Sequence, residues 1–446
     1  DEILLSILRN LTYEDILNCR LINKDFHSLI NDNYLWYELF VRDFYRHKYD
    51  RDINYKSEYQ EVLEFKRSND KLDPDTNKLS IWKYYIHTDP FYKFDDGASL
   101  LFHVPIELMQ LLLNNIEDKE EYCLHKNNYG LMALCNAKTA EHSQFLLRTI
   151  KNPEQYCLYK TNFEDTALHW ARTAEQTQIL LDNVNDKEQY CFIRDLNGGT
   201  ALHSAKTAEQ TQVLLDSVND KQAYCLIQDD FGNTALHYAK TSKQIQILLN
   251  NVEDPEAYCF MQNNTGETIL HLAETTEQTQ ILLENIKDPN AYCLLQNMSG
   301  DTALHYANTV EQTRFLINSV SDPNMYCIVQ DEHGYSALHL AATSEQTQLL
   351  LDSVNDTEAY CLLENNNGCT ALHDAKTVEQ TQILLNTINN KRNYCLIRDK
   401  FGHTAIWYAK TAEQTQILLL SCSCVSNAVD NIRSPKSYCS IKNNLP

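Results

Sequence analysis

Residues 200–233 set the pattern that most of the chain follows. Ala201–Lys206 is a short apolar–polar run that Thr200 can cap. It predicts a first helix. Thr207 and Gln210 stand three apart like the partners of a capping box, opening a second helix with Val213, Leu214 and Val218 on one face. These two helices are expected to be joined by about one residue. A third helical turn is expected next: Asp254-Pro, Asp288-Pro and Asp322-Pro put aspartate at N-cap and proline at the first helical position in three copies. A Tyr-Cys pair closes it and is expected to plug between units. Asp/Asn-x-x-Gly then turns the chain into the next unit, glycine suiting a positive φ.

The spacing is strict. Histidine stands at 169, 203, 237, 271, 305, 339 and 373, with Trp407 in the next slot, a step of 34 residues each time. Cysteine keeps the same beat from Cys123 to Cys395. Thr173/Gln176, Thr241/Gln244, Thr275/Gln278, Thr309/Gln312, Thr343/Gln346, Thr377/Gln380 and Thr411/Gln414 repeat the cap. A fixed period in this range marks a stacked array, each unit burying its apolar face against its neighbours. About ten units fit into 98–446. The end units are degenerate, with Leu101 and Cys135 in the histidine slot and a late Tyr438-Cys439. The fold class is all-α: an N-terminal three-helix segment, then a helical solenoid of about ten 34-residue repeats.

Ahead of the array the rhythm differs. Ile3, Leu4, Ile7, Leu8 and Leu11 form one helical stripe; Thr12 caps a second helix carrying Ile16 and Leu17. A third run follows through Phe26, Leu29 and Ile30, and Leu35-Trp36 open a further segment. Three short helices make a marginal core, so part of the stripe is expected to await a partner. Residues 1–46 form this segment, and 47–97, aromatic and nearly free of glycine, read as a rigid coupling region. There Glu58–Lys66 is an expected helix, Ser80–Tyr85 another, and Phe91, Tyr92 and Phe94 are expected to cover the end of the array.

Composition narrows the function. A net charge of −23 argues against nucleic acid and anionic membranes as partners. No apolar run of the ~20 residues a membrane span needs occurs, and no signal peptide is read. Of the fifteen cysteines, nine share one register, about 8–10 Å between neighbours. That exceeds the ~7 Å limit for a disulfide. They are expected to be buried thiols in a reducing compartment, cytoplasmic or nuclear. Histidines one repeat apart stand too far from each other to share a metal. Each is expected to cap or bridge backbone in its own turn. Cys422-Ser-Cys424 with His403 falls short of a zinc site. No catalytic residue, metal or cofactor is read; the chain is expected not to be an enzyme.

Recognition is expected where copies differ. The slot after the histidine holds Trp170, Ser204, Tyr238, Leu272, Tyr306, Leu340, Asp374 and Tyr408. The turn tip holds Phe163, Asn197, Phe231, Thr265, Ser299, His333, Asn367 and Phe401. From these, Trp170, Tyr238, Tyr306, Asp374, Tyr408, Phe163, Phe231, His333 and Phe401 are the candidates for target binding, aromatic side chains being favoured at interface hot spots.

Two family resemblances follow. Asp1-Glu-Ile-Leu-Leu-Ser-Ile-Leu8, Leu11, Asp15-Ile16, Arg20–Lys24, Phe26, Leu29 and Leu35-Trp36 look like an F-box. The family's Leu-Pro would lie just ahead of Asp1, so an upstream segment is expected. The resemblance implies docking on the Skp adaptor of a cullin–RING ubiquitin ligase, through candidates among Ile3, Leu4, Ile7, Leu8, Leu11, Ile16 and Leu17. The Gly-x-Thr-Ala-Leu-His-x-Ala core resembles the ankyrin repeat, with alanine for the family's proline. It departs in period, in a shorter turn without glycine, and in a return segment read as helical where ankyrins place a hairpin finger. Together they imply a substrate receptor that holds a protein target, or a scaffold or decoy that sequesters it. F-box plus ankyrin also occurs in pathogen proteins, which would place the chain in a host-cell cytoplasm.

Overall fold

The computed structural model describes Trp36, Leu39, residues 55–68, 72–74, 76 and 78–422. The predicted stripe of Ile3, Leu4, Ile7, Leu8, Leu11, Ile16 and Leu17 lies outside the described residues, as does Cys424. The chain divides into two compact units, Asp1–Leu196 and Asn197–Pro446.

Helices dominate the described residues, joined only by isolated antiparallel bridges such as Gln330 with Ser336. The coupling region supplies the expected helices as Tyr55–Ser68 and Leu79–Thr88. Trp82 is fully buried between them and the array, its indole N–H donating to the Thr76 carbonyl at 3.0 Å. Phe94 packs on Trp82 and on His103. Phe91 touches Tyr122 edge-on but stays largely exposed, so Tyr92 and Phe94 do most of the covering.

Within each unit the repeat has three helices. The first is shorter than the sequence predicts. It is a single turn, as in Ala337–Leu340, and in the copy at 201–204 only a turn. Ala341 then takes φ −46, ψ 128, so three residues, not one, lead to the second helix, Ser344–Asp352. The third helix is the predicted Asp-Pro turn: Asp322 caps Pro323–Cys327, accepting the Met325 N–H at 3.0 Å. The return segment proves to be helix and finger in succession. After Cys327 the chain makes a hairpin-like turn in which the Asp331 carboxylate accepts the His333 and Tyr335 N–H groups at 2.8 and 2.7 Å. That double acceptance is why Asp or Asn opens most fingers; Thr161 takes the place in one, its hydroxyl accepting the Phe163 N–H at 3.1 Å.

Gly334 in this turn has φ +79, and a Cβ there would meet the Asn366 backbone nitrogen at 2.7 Å. Both conformation and close approach demand glycine. Glu164 takes the equivalent place with φ +60, the one non-glycine at positive φ among the described residues. Neighbouring fingers are tied by backbone bonds such as Asn366 N–H to the His333 carbonyl, 2.8 Å.

The seam between repeats is polar and fully buried. Gln346 N–H reaches Thr343 Oγ1, as the cap predicts, but the side chain does more. Its Oε1 accepts from the Ala342 N–H at 2.8 Å, while Nε2 donates to the Ala307 carbonyl at 2.9 Å and to Thr313 Oγ1 at 2.8 Å in the preceding repeat. Gln312, Gln380 and Gln414 repeat this, and Gln176 does so with Ser143 in the first unit. A reciprocal capping box, with glutamine on the N-cap N–H, forms at Thr275 and Thr377. The tyrosines plug the seam as expected. Tyr360 and Tyr394 are fully buried and donate to the carbonyls of Cys327 and Cys361 at 2.8 and 3.0 Å. The cysteines beside them are buried thiols, and burial pushes Cys327 and Cys361 up to about 12.

Candidate target-binding surface

The repeat's histidine positions this surface. His339 is buried, and its Nδ1 accepts the Ser336 N–H at 3.1 Å while Nε2 lies 3.2 Å from the Cys369 carbonyl in the next finger. A ring nitrogen that accepts a backbone N–H must be unprotonated, so the neutral Nε2–H tautomer fits both contacts. His237, His271 and His305 make the same pair of contacts. Burial holds these histidines below their ordinary value, His339 down to about 4. The expected role of backbone bridge is the observed one, extended from the histidine's own turn to the next repeat.

The residue after each histidine points outward beside the finger. Tyr238, Tyr306 and Tyr408 are each just over a third exposed. Their rings lean edge-on against the preceding histidines His203, His271 and His373, centroids 6.0–6.2 Å apart. Their hydroxyls turn to the finger's acidic residues: Tyr238 donates to Asp229 at 2.7 Å and Tyr408 to Asp399 at 2.5 Å. Tyr306 sits between Asp301 and Glu267, at 3.3 and 3.5 Å, and accepts from Asn297 at 3.1 Å. Burial and these two carboxylates push its phenol up to about 12. Trp170 and Leu340 are comparably exposed, whereas Asp374 is half-buried and burial pushes its carboxyl up to about 6.

The finger tips stand further out. Phe163, Phe231 and Phe401 are exposed, Phe401 at 71%, and His333 is exposed too. Phe163 stacks on Tyr129, centroids 6.5 Å apart. Tyr129 lies in the degenerate second repeat, where the variation between regular copies gives no signal for it. Cys424 lies outside the described residues; Cys422 and Cys395 are buried free thiols, and His403 stacks on Trp407 at 4.2 Å. No group of three metal-ligating side chains occurs among the described residues, and no described helix is long and apolar enough to cross a membrane.

Residues 1–42 match the F-box-like family model. No curated protein matches the chain. Among solved structures, the chain is similar to the ankyrin repeat domain of Bcl-3, a member of the IkappaB protein family. That match has 20% identity over 56% of this chain and 95% of that one, with a TM-score of 0.29. The repeat's own geometry carries the architecture: a Thr-Ala-Leu-His turn, a second helix and a finger bonded to its neighbours. The described residues thus form an all-α array of 34-residue repeats, and residues 1–42 are similar to the F-box-like family.

Proposed function

We propose that the chain is the substrate receptor of a Skp–cullin–RING ubiquitin ligase. The F-box-like match at 1–42, joined to an array with exposed aromatic slots, is the observation that supports this most directly. Residues 1–46 dock on the adaptor through Ile3, Leu4, Ile7, Leu8, Leu11, Ile16 and Leu17. Residues 47–97 couple that segment to the repeats, and 98–446 hold a protein target through Trp170, Tyr238, Tyr306, Asp374, Tyr408, Phe163, Phe231, His333 and Phe401. The chain supplies position and no chemistry, raising the concentration of target near a transfer site on another subunit. It works in the cytoplasm or nucleus, in keeping with its buried free thiols.

Affinity capture from a eukaryotic lysate, with and without Leu4→Asp/Leu8→Asp, tests this. The wild type is expected to recover the adaptor and a cullin, and the double variant neither. Failure of the wild type to recover them sinks the proposal. If both are recovered but the abundance and ubiquitination of co-captured proteins do not change, the chain is a decoy that holds its target without turnover.

A further inference from the structure

We infer that the stripe running from Tyr238 through Leu272 and Tyr306 to Leu340 is the seat of an extended, arginine-bearing segment of the target. The stripe lies wholly within the second compact unit. It presents one apolar side chain per repeat, and Tyr238, Tyr306 and Leu340 each expose more than a third of their surface. Both tyrosine rings are braced on buried histidines and their hydroxyls are committed to the fingers, which leaves ring faces and edges as the available surface.

Charge selects the occupant. Residues 228–238, 262–272, 296–306 and 330–340 contain Asp229, Asp230, Glu267, Asp301, Asp331 and Glu332, with no lysine or arginine. Lys240, at the edge of this face, is already paired with Glu274 at 3.6 Å, and Lys376, which donates to the Leu340 carbonyl at 2.9 Å, sits at the far end of the stripe. The acidic run has ends. The preceding copy, 194–204, carries Arg194 beside Asp195; 364–374 keeps Glu364 and Asp374, and the finger at 398–403 then brings in Arg398 and Lys400. Asp301 and Glu267 bracket the Tyr306 hydroxyl at 3.3 and 3.5 Å, so two carboxylates stand at the edge of one exposed ring. A guanidinium suits that arrangement: its face stacks on the phenol while its N–H fork meets carboxylates. An acidic or phosphorylated segment would meet repulsion from Glu267 and Asp301 beside the Tyr306 ring. A purely apolar one would cover them without compensation.

Spacing gives the segment a register. Stacked helices lie about 8–10 Å apart, and an extended chain advances roughly 3.3 Å per residue. One repeat thus matches about three residues of the partner. Tyr238 and Tyr306, two repeats apart, call for arginines about six residues apart, with apolar residues midway over Leu272 and three further on over Leu340.

The probe is a fluorescein-labelled ten-residue peptide with arginine first and seventh, leucine fourth and tenth, and serine elsewhere. Fluorescence anisotropy with the full chain is expected to show saturable binding that weakens as sodium chloride rises. Replacing both arginines by citrulline, or Glu267→Gln with Asp301→Asn in the protein, is expected to weaken it at least tenfold. Melting curves are expected to show that each variant folds. Equal affinity for the citrulline peptide, or for the double variant, overturns the inference. So does equal affinity for a peptide with the two arginines adjacent, and so does no binding at all. If the chain instead self-associates by light scattering and the double variant disperses it, the stripe is a self-interface and the inference falls. The inference rests on the repeats being target-holding, and the two readings fail separately. Adaptor capture without peptide binding sinks only the stripe; peptide binding without adaptor capture sinks only the receptor.

Discussion

The buried seam and the exposed finger face of one repeat obey opposite rules. Along the seam the same side chains return every 34 residues: Gln346 does what Gln312 and Gln380 do, and Tyr360 what Tyr394 does. Along the face, Tyr238, Leu272, Tyr306, Leu340 and Asp374 fill one slot in turn. A seam residue must satisfy donors and acceptors on two repeats at once, so its replacement strands partners on both. A face residue touches fewer of its neighbours' polar groups and is free to vary with what it meets. Uniformity measures the packing constraint, and variation marks where recognition is available.

The comparison can be attacked first through acid, which strikes the seam in many copies together. His237, His271, His305, His339 and His373 are held below the usual histidine value by burial. Asp331 opposes this at His339, and neighbouring His373 reinforces it. The folded pKa lies below the unfolded ~6.5, so the stabilising contribution is complete above pH ~6.5. It is lost as pH falls toward about 4, the value reached by His339. Urea unfolding between pH 7 and 5 is expected to show about 2 kcal/mol lost for His339 alone and more for the five together. A pH-independent midpoint over that window would refute the neutral-bridge role.

Next in size is Gln346→Leu. It strands the Ala342 N–H and the Ala307 carbonyl and removes a donor to Thr313 Oγ1, which keeps its bond to Thr309. A loss of about 2–4 kcal/mol is expected in urea unfolding, against less than about 0.5 kcal/mol for Phe231→Ser at an exposed tip. Similar losses at the two sites would erase the distinction between seam and face. Smaller again is Tyr360→Phe, which removes one bond to the Cys327 carbonyl without opening a cavity. About 1 kcal/mol is expected, read from the same unfolding curves.

These contrasts mark what could be read in the sequence. Period, cap and third helix were legible because each rests on local chemistry: Thr343 with Gln346 N–H, Asp322 ahead of Pro323. The histidine was legible in part, since Nδ1 serves its own turn, but not the reach of Nε2 to the next finger. Glutamine's place in the seam was hidden for the same reason. A Thr-x-x-Gln spacing says nothing about whether the amide folds back on the N-cap or stretches to the repeat before. The first helix was overread: an apolar run of helical spacing cannot show that Ala341 leaves the helix after one turn. On the face, exposure of Tyr238 and Phe231 agrees with their variability, while Asp374 turned out half-buried.

The seam also contains its own exception, which supplies the finest test. Position 245 is isoleucine where the other complete copies have threonine, and Gln278 Nε2 goes to the Lys240 carbonyl at 2.9 Å. In the regular copies the amide has two acceptors, an alanine carbonyl and a threonine hydroxyl; here the second is a buried hydrocarbon. Ile245→Thr would restore the acceptor but give up a buried γ1-methylene and δ-methyl. The gain from one hydrogen bond, about 1 kcal/mol, is set against the loss of burying roughly two carbons. The net is expected to be a loss of about 0.5–1 kcal/mol, with Gln278→Leu costing less in wild type than Gln346→Leu does. If Gln278→Leu costs as much, the threonine hydroxyl adds nothing to the seam, and its recurrence must come from its bond to its own helix's N-cap carbonyl, as in Thr313 to Thr309.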